Sequence, residues 1–188
     1  RRPRCDPGPR ASAGSAERYP AWSPDGKTIA YWSDASGDYE LVLQPADGSG
    51  EARTVTRLGP GYRYSLFWSP DSSRLAFIDH TQTIWILEVA SGSLVEVDHV
   101  PFVLHGGREE LEMSWSAASR WLAYSKEVFT NYASIFVYDV QKGEVHRVTG
   151  PMTADRSPAW DPEGRYLYFL SSRSTNPVLG TRDWQNVE

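Results

Sequence analysis

The densest apolar runs of the chain are short and alike: "TIAYW" from residue 28, "RLAFI" from 74, "WLAYS" from 121 and "YLYFL" from 166. They do not alternate with polar residues, as a strand with one wet face would, and they are too short for helices. Each reads as a strand covered on both faces. Each also follows the same punctuation, in "AWSPDGKTIAYWS" (21–33), "FWSPDSSRLAFID" (67–79), "SWSAASRWLAYSK" (114–126) and "AWDPEGRYLYFLS" (159–171). The tryptophans Trp22, Trp68, Trp115 and Trp160 stand 46, 47 and 45 residues apart. A period of that length is the mark of a repeat array rather than of chance similarity.

Within one period the pattern predicts a meander of four strands. In the first unit these lie near 19–23, 27–33, 39–44 ("YELVLQ") and 51–56 ("EARTVT"). Ser-Pro-Asp-Gly supplies the first turn, because proline presets φ, aspartate accepts nearby amides and Gly26 tolerates positive φ. The second unit continues with "TIWILEV" and "SLVEV", the third with "SIFVYDV" and "EVHRVT". Ser72 and Ser119 replace the glycine, so the turns of units two and three are expected to be of another type or slightly strained. Four-stranded antiparallel sheets, repeated in series and covered on both faces, make a β-propeller; a sandwich or jelly roll would not fix a tryptophan at one place in every period.

The predicted fold is therefore all-β, with blades starting near residues 19, 64, 111 and 157. After the second strand of unit four, "SRSTNPVLGTRDWQNVE" lacks a paired β pattern, giving about three and a half blades over residues 17–188. Residues 1–16, rich in Arg, Pro and Gly, read as a disordered or foreign N-terminal segment. Closed propellers have four to eight blades. The open flanks are expected to be covered by further blades of a longer protein or by self-association with a second copy.

Composition narrows the function. Aromatic residues make up 13% of the chain, in keeping with many strands, and the net charge is −5 with cations scattered. No basic stripe is present to follow a phosphate backbone, so nucleic acid is not an expected partner. No apolar stretch reaches membrane-spanning length, and no membrane partner is expected. Cys5 is the single cysteine, which leaves no internal disulfide and no Cys-x-x-Cys pair.

The run "ERYPAWSPDGKTIAYWSDASGDYELVLQPADGSGEARTVT", with "RWLAYSK" and "YLYFLSSRSTNPVLG", resembles the propeller region of tricorn protease-like proteins across residues 17–188. Ser-Pro-Asp-Gly units are shared with TolB-type propellers and those of prolyl oligopeptidases; the segment Asn176-Pro177-Val178-Leu179-Gly180 favours tricorn. The resemblance implies a non-catalytic module that gates peptides or serves as a scaffold for a serine protease whose catalytic domain lies elsewhere. The alternative it leaves is a TolB-like protein-interaction propeller.

The chain's own residues offer little chemistry. There is no Gly-x-Ser-x-Gly elbow, and His80, His99, His105 and His146 read as loop or strand-end residues. "FVLHGGREELE" (102–112) reads as a loop between blades, and the carboxylates of "SDASGDYE" as a solvated turn rather than a calcium loop. No cofactor or metal is expected, and the repeated tryptophans read as packing between blades. A binding surface would lie where the innermost strands start around the channel: Arg18 and Tyr19, Arg63 and Tyr64, Glu110 and Leu111, Asp155 and Arg156. Arginine and tyrosine there suit a peptide terminus or a protein partner.

Overall fold

A computed structural model of the protein describes residues 14–100, 112–128 and 132–172. Fourteen strands and no helix appear among them, arranged as three four-stranded sheets and one two-stranded sheet, all antiparallel. The first sheet is β1 (Glu17–Trp22), β2 (Thr28–Ser33), β3 (Glu40–Pro45) and β4 (Arg53–Thr54). The second is β5 (Phe67–Trp68), β6 (Arg74–Ile78), β7 (Thr83–Glu88) and β8 (Leu94–His99). The third is β9 (Met113–Trp115), β10 (Trp121–Glu127), β11 (Ala133–Asp139) and β12 (Glu144–Arg147), and the last is β13 (Ala154–Trp160) with β14 (Leu167–Ser172). Each full sheet keeps strand order equal to sequence order. The first strands approach one another in series, β1 to β5, β5 to β9 and β9 to β13, so they line the inner side of a partial propeller.

The core lies between sheets, as the unbroken apolar runs require. One layer joins Ala30, Trp32, Leu41 and Leu43 of the first sheet to Leu75, Phe77 and Leu87 of the second. Its centre is an edge-to-face pair of Trp32 and Phe77 with ring centroids 4.9 Å apart. A second layer joins Ala76, Ile78, Ile84 and Ile86 to Leu122, Tyr124, Phe136 and Tyr138. Successive residues of β6 thus serve opposite neighbours, which is the alternation of a strand expressed as two dry faces.

Hydrogen bonds tie the sheets at fixed places in the repeat. The Trp68 indole donates to the Ala21 carbonyl at 3.1 Å, and the Trp115 indole to the Phe67 carbonyl at 3.0 Å. In both cases the acceptor stands just before the tryptophan of the preceding sheet. The joint between the second and third sheets also holds a polar cluster, in which Tyr124 Oη donates to Asp98 Oδ2 at 2.6 Å and Lys126 Nζ to the same oxygen at 2.5 Å. Burial and then the Asp98 carboxylate push the Tyr124 hydroxyl far above its ordinary range, so it stays a donor.

The turns after the tryptophans correct one expectation. All four are of one type: the αL residue, Gly26, Ser72, Ser119 or Gly164, returns its N–H to the carbonyl three residues back at 2.8–2.9 Å. Ser72 and Ser119 hold φ of 62° and 55°, so the strain is present but the turn is unchanged. Their hydroxyls explain the choice. Ser72 Oγ accepts from Asp25 N at 3.1 Å and Ser119 Oγ from Asp71 N at 3.0 Å, hooking each turn to the one before it. Glycine would be relaxed there but could not form the hook.

Candidate functional site

The strands fix which residues share an end of the sheets. The Trp-Ser-Pro-Asp-Gly turns lie at one end. At the other are the starts of β1 and β13, the β2–β3 connection and the crossing from the first sheet to the second. β1 and β13 both begin with a bulge, between Arg18 and Ala21 and between Arg156 and Ala159. Tyr19 and Ser157 take φ of 51° and 56° in these bulges, each followed by a proline that has no N–H to pair. Arg18 and Arg156, the last residues paired before each bulge, lie opposite Trp32 and Leu170 and are exposed.

The sequence-predicted positions separate in the structure. Arg18 lies against two aromatic rings, 5.6 Å from the Tyr39 centroid and 5.5 Å from that of Tyr62. The two tyrosines are themselves 5.5 Å apart. Arg156 approaches Glu127 of the third sheet, Nη2 to Oε1 at 3.8 Å. Arg63 is only 4% exposed; its Nη1 donates to the Gly61 carbonyl, and its Nε has no partner among the described residues. It bridges Asp79 across the sheet, as Glu17 pairs with Ser33, one step before the position of Arg18. Tyr64 and Tyr19 turn inward against the two apolar layers, and the Tyr64 carbonyl accepts the Trp32 indole at 2.9 Å. Glu110 and Leu111, with most of the 102–112 loop and His105, lie outside the described residues.

Tyr39 and Tyr62 complete the arginine site and were not singled out by the sequence pattern. Tyr39 leads into β3 after a turn closed by Gly37 N to the Asp34 carbonyl at 2.8 Å. Tyr62 is held from both sides. Buried Glu40 accepts Leu58 N at 2.7 Å, Gly59 N at 3.1 Å and Thr56 Oγ1 at 2.6 Å, fixing the start of the crossing segment. Further on, His80 N donates to the Tyr62 carbonyl at 2.8 Å. The His80 ring fills the space beside Gly61, where a Cβ would stand 2.2 Å from Cε1, so a side chain there would displace the ring and would also be strained at a φ of 136°. The signal for these tyrosines lies in tertiary contact across sequence distance, which a strand pattern does not carry.

Arg18 is one of several cations, with Arg53, Arg57, Arg63, Lys142 and Arg147, that form no ion pair among the described residues. Among the described residues, Arg74 pairs with Asp71 and Glu88, Arg120 with Asp139 and Arg156 with Glu127, whereas no carboxylate forms an ion pair with Arg18. The Tyr39 side chain first, and then Tyr62, raise its affinity for the proton above the ordinary guanidinium value. Beside Tyr39 opens a groove of about 860 Å³ lined by Ser36, Asp38, Glu40, Thr56, Arg57 and Gly59. A guanidinium that lies against two adjacent aromatic rings and bonds one of them can still turn its remaining N–H groups to a carboxylate. Among the described residues no three of His, Cys, Asp and Glu gather as a metal site.

Comparison with known proteins agrees with this architecture. The family model of the tricorn protease second beta propeller domain matches residues 10–186. Tricorn protease homolog 1 of Streptomyces coelicolor is 31% identical over 173 residues, covering 89% of this chain and 16% of that protein. The crystal structure of the tricorn protease superposes with a TM-score of 0.71 at 19% identity, over 88% of this chain and 16% of the other. TolB from Acinetobacter baumannii superposes with a TM-score of 0.59 at 18% identity, over 86% of this chain and 39% of the other. The chain spans about a sixth of the length of the curated tricorn relatives, 17% and 16% for two of them. With the sheets, the period and the family match in agreement, the chain belongs to the family of tricorn protease second β-propeller domains.

Proposed function

We propose that this chain is a non-catalytic propeller module that receives peptides for a tricorn-type protease, capturing them by a carboxylate. The observation that carries this reading is the Arg18 guanidinium set against the adjacent rings of Tyr39 and Tyr62 without an acidic partner among the described residues. It stands at the end where the innermost strands begin, and a groove of about 860 Å³ opens at Asp38 and Glu40, the residues on either side of Tyr39. A peptide's terminal carboxylate would take the Arg18 N–H groups that Tyr39 leaves open, its last side chain would lie against the tyrosines, and its backbone would run toward the groove past Arg57. Arg63 and Tyr64 would support this end of the sheet from within, and Arg156 would extend the basic surface along the ring. The chain has no Gly-x-Ser-x-Gly elbow, and the relatives it matches are several times longer, so peptide cleavage is assigned to other parts of such proteins.

Calorimetric titration with a short apolar peptide, free or amidated at its C-terminus, tests the reading. A charge-assisted bond to carboxylate contributes about 1.5–3 kcal/mol, so amidation or Arg18→Met is expected to weaken binding by a factor of about ten or more. Equal affinity for the free and amidated peptides, or an unchanged affinity in Arg18→Met, would overturn it.

A further inference from the structure

Three distances around Arg18 determine which side of it is covered. Its Cζ lies 5.6 Å from the Tyr39 ring centroid and 5.5 Å from that of Tyr62, and the two centroids are 5.5 Å apart. The three sides make a nearly equilateral triangle, so both rings stand on one flank of the guanidinium rather than on opposite flanks. The other flank faces solvent, since Arg18 is exposed and Tyr62 beside it is 49% exposed. The two walls are held by the fold itself. Tyr39 stands between the turn closed by Gly37 and the buried, fully bonded Glu40, and Tyr62 is tied through its carbonyl to His80 N at 2.8 Å. Walls that are already in place lose little freedom when a ligand arrives.

Resting on the carboxylate reading above, we propose that this site selects peptides whose C-terminal residue is aromatic. The ring of that residue packs beside the exposed part of Tyr62 and against the side of Arg18 that the tyrosines leave open, so the cation ends enclosed by three rings. The adjoining carboxylate takes the N–H groups that Tyr39 does not. Only Cα and Cβ separate a terminal ring from its own carboxylate, so one residue makes both contacts. A ring face attracts a cation electrostatically, and the attraction grows as the pair is drawn out of water. An aliphatic side chain would cover the same side without that attraction. A lysine or arginine would bring a second positive charge against the first. The substrate class is therefore set by the unfinished side of a cage whose other walls are Tyr39 and Tyr62.

Calorimetric titration of N-acetylated alanine-bodied tetrapeptides ending in phenylalanine or in cyclohexylalanine tests the proposal. The saturated ring has nearly the same shape and is the more apolar, so hydrophobic burial alone would favour it. The phenylalanine peptide is expected to bind about fivefold more tightly. Arg18→Lys keeps a charge for the carboxylate but has no planar group to stack, and Arg18 is exposed, so the fold does not depend on it. In that variant the ratio of the two affinities should fall to about one, while free peptides still bind more tightly than amidated ones. Equal binding of the free and amidated phenylalanine peptides to the wild type would sink the carboxylate reading and this inference with it. A preference for the free peptide with cyclohexylalanine bound as tightly as phenylalanine, or an aromatic preference unchanged in Arg18→Lys, would overturn the inference alone.

Discussion

Trp115 and Trp22 hold the same place in the same motif, yet one is 8% exposed and the other 60%. The difference lies in what stands next to them. Trp115 has the second sheet against it and gives its indole proton to Phe67, while Trp22 has no preceding sheet among the described residues. Tyr124 and Tyr31 form a second such pair, each two residues after the aliphatic residue of the second strand. Tyr124 is buried and bonded to Asp98, whereas the Tyr31 hydroxyl, among the described residues, reaches Gln44 at a long 3.4 Å. Local sequence sets the strand and the turn, and the neighbouring sheet determines what a side chain contributes.

The largest test of this contrast is truncation of the indoles. Trp115→Ala removes a packed side chain between two sheets and is expected to lower stability by about 3–5 kcal/mol. Trp22→Ala in dilute solution should change it by less than about 0.5 kcal/mol. Urea unfolding followed by far-ultraviolet circular dichroism reads both, and similar losses would break the comparison. The tyrosines give a smaller difference. Tyr124→Phe strands part of the Asp98 carboxylate and should cost about 1–2 kcal/mol, whereas Tyr31→Phe should stay within about 0.5 kcal/mol. Ser119 sharpens the account further. Ser119→Ala loses the hook to Asp71 but keeps a side chain at positive φ, at an expected cost of about 1 kcal/mol. Ser119→Gly loses the same bond and relieves the backbone, so thermal unfolding should place it between Ser119→Ala and wild type. If alanine and glycine proved equal, the αL strain would be negligible.

The repeat made the strands legible because its spacing is set by local turn chemistry and by apolar runs that nothing but a doubly covered sheet accommodates. The same regularity shows why the hooks escaped notice. Counting substitutions at Ser72 and Ser119 reveals a missing glycine, but the amide that the hydroxyl accepts is about one full period away. The arginines show a related limit. Arg18 and Arg156 stand four residues before their tryptophans and Arg63 five. In a strand that single step exchanges one face for the other, and Arg63 is accordingly buried while the others meet solvent. Tyr39 and Tyr62 lie 21 and 44 residues beyond Arg18 in unrelated contexts, so only the folded chain brings them to it.

The indole bonds between sheets span 47 and 48 residues, and the serine hooks span 47 and 48 as well. Each of these ties is one repeat long, and each joins a part of the unit to a matching part of the next copy. A unit built this way is compatible with itself. It can be duplicated or deleted whole during evolution without redesigning any joint, because the neighbour that takes its place offers the same carbonyl, the same turn amide and the same apolar face. Ring size is then free to drift by whole blades, while a change within the joint must suit every copy that shares it.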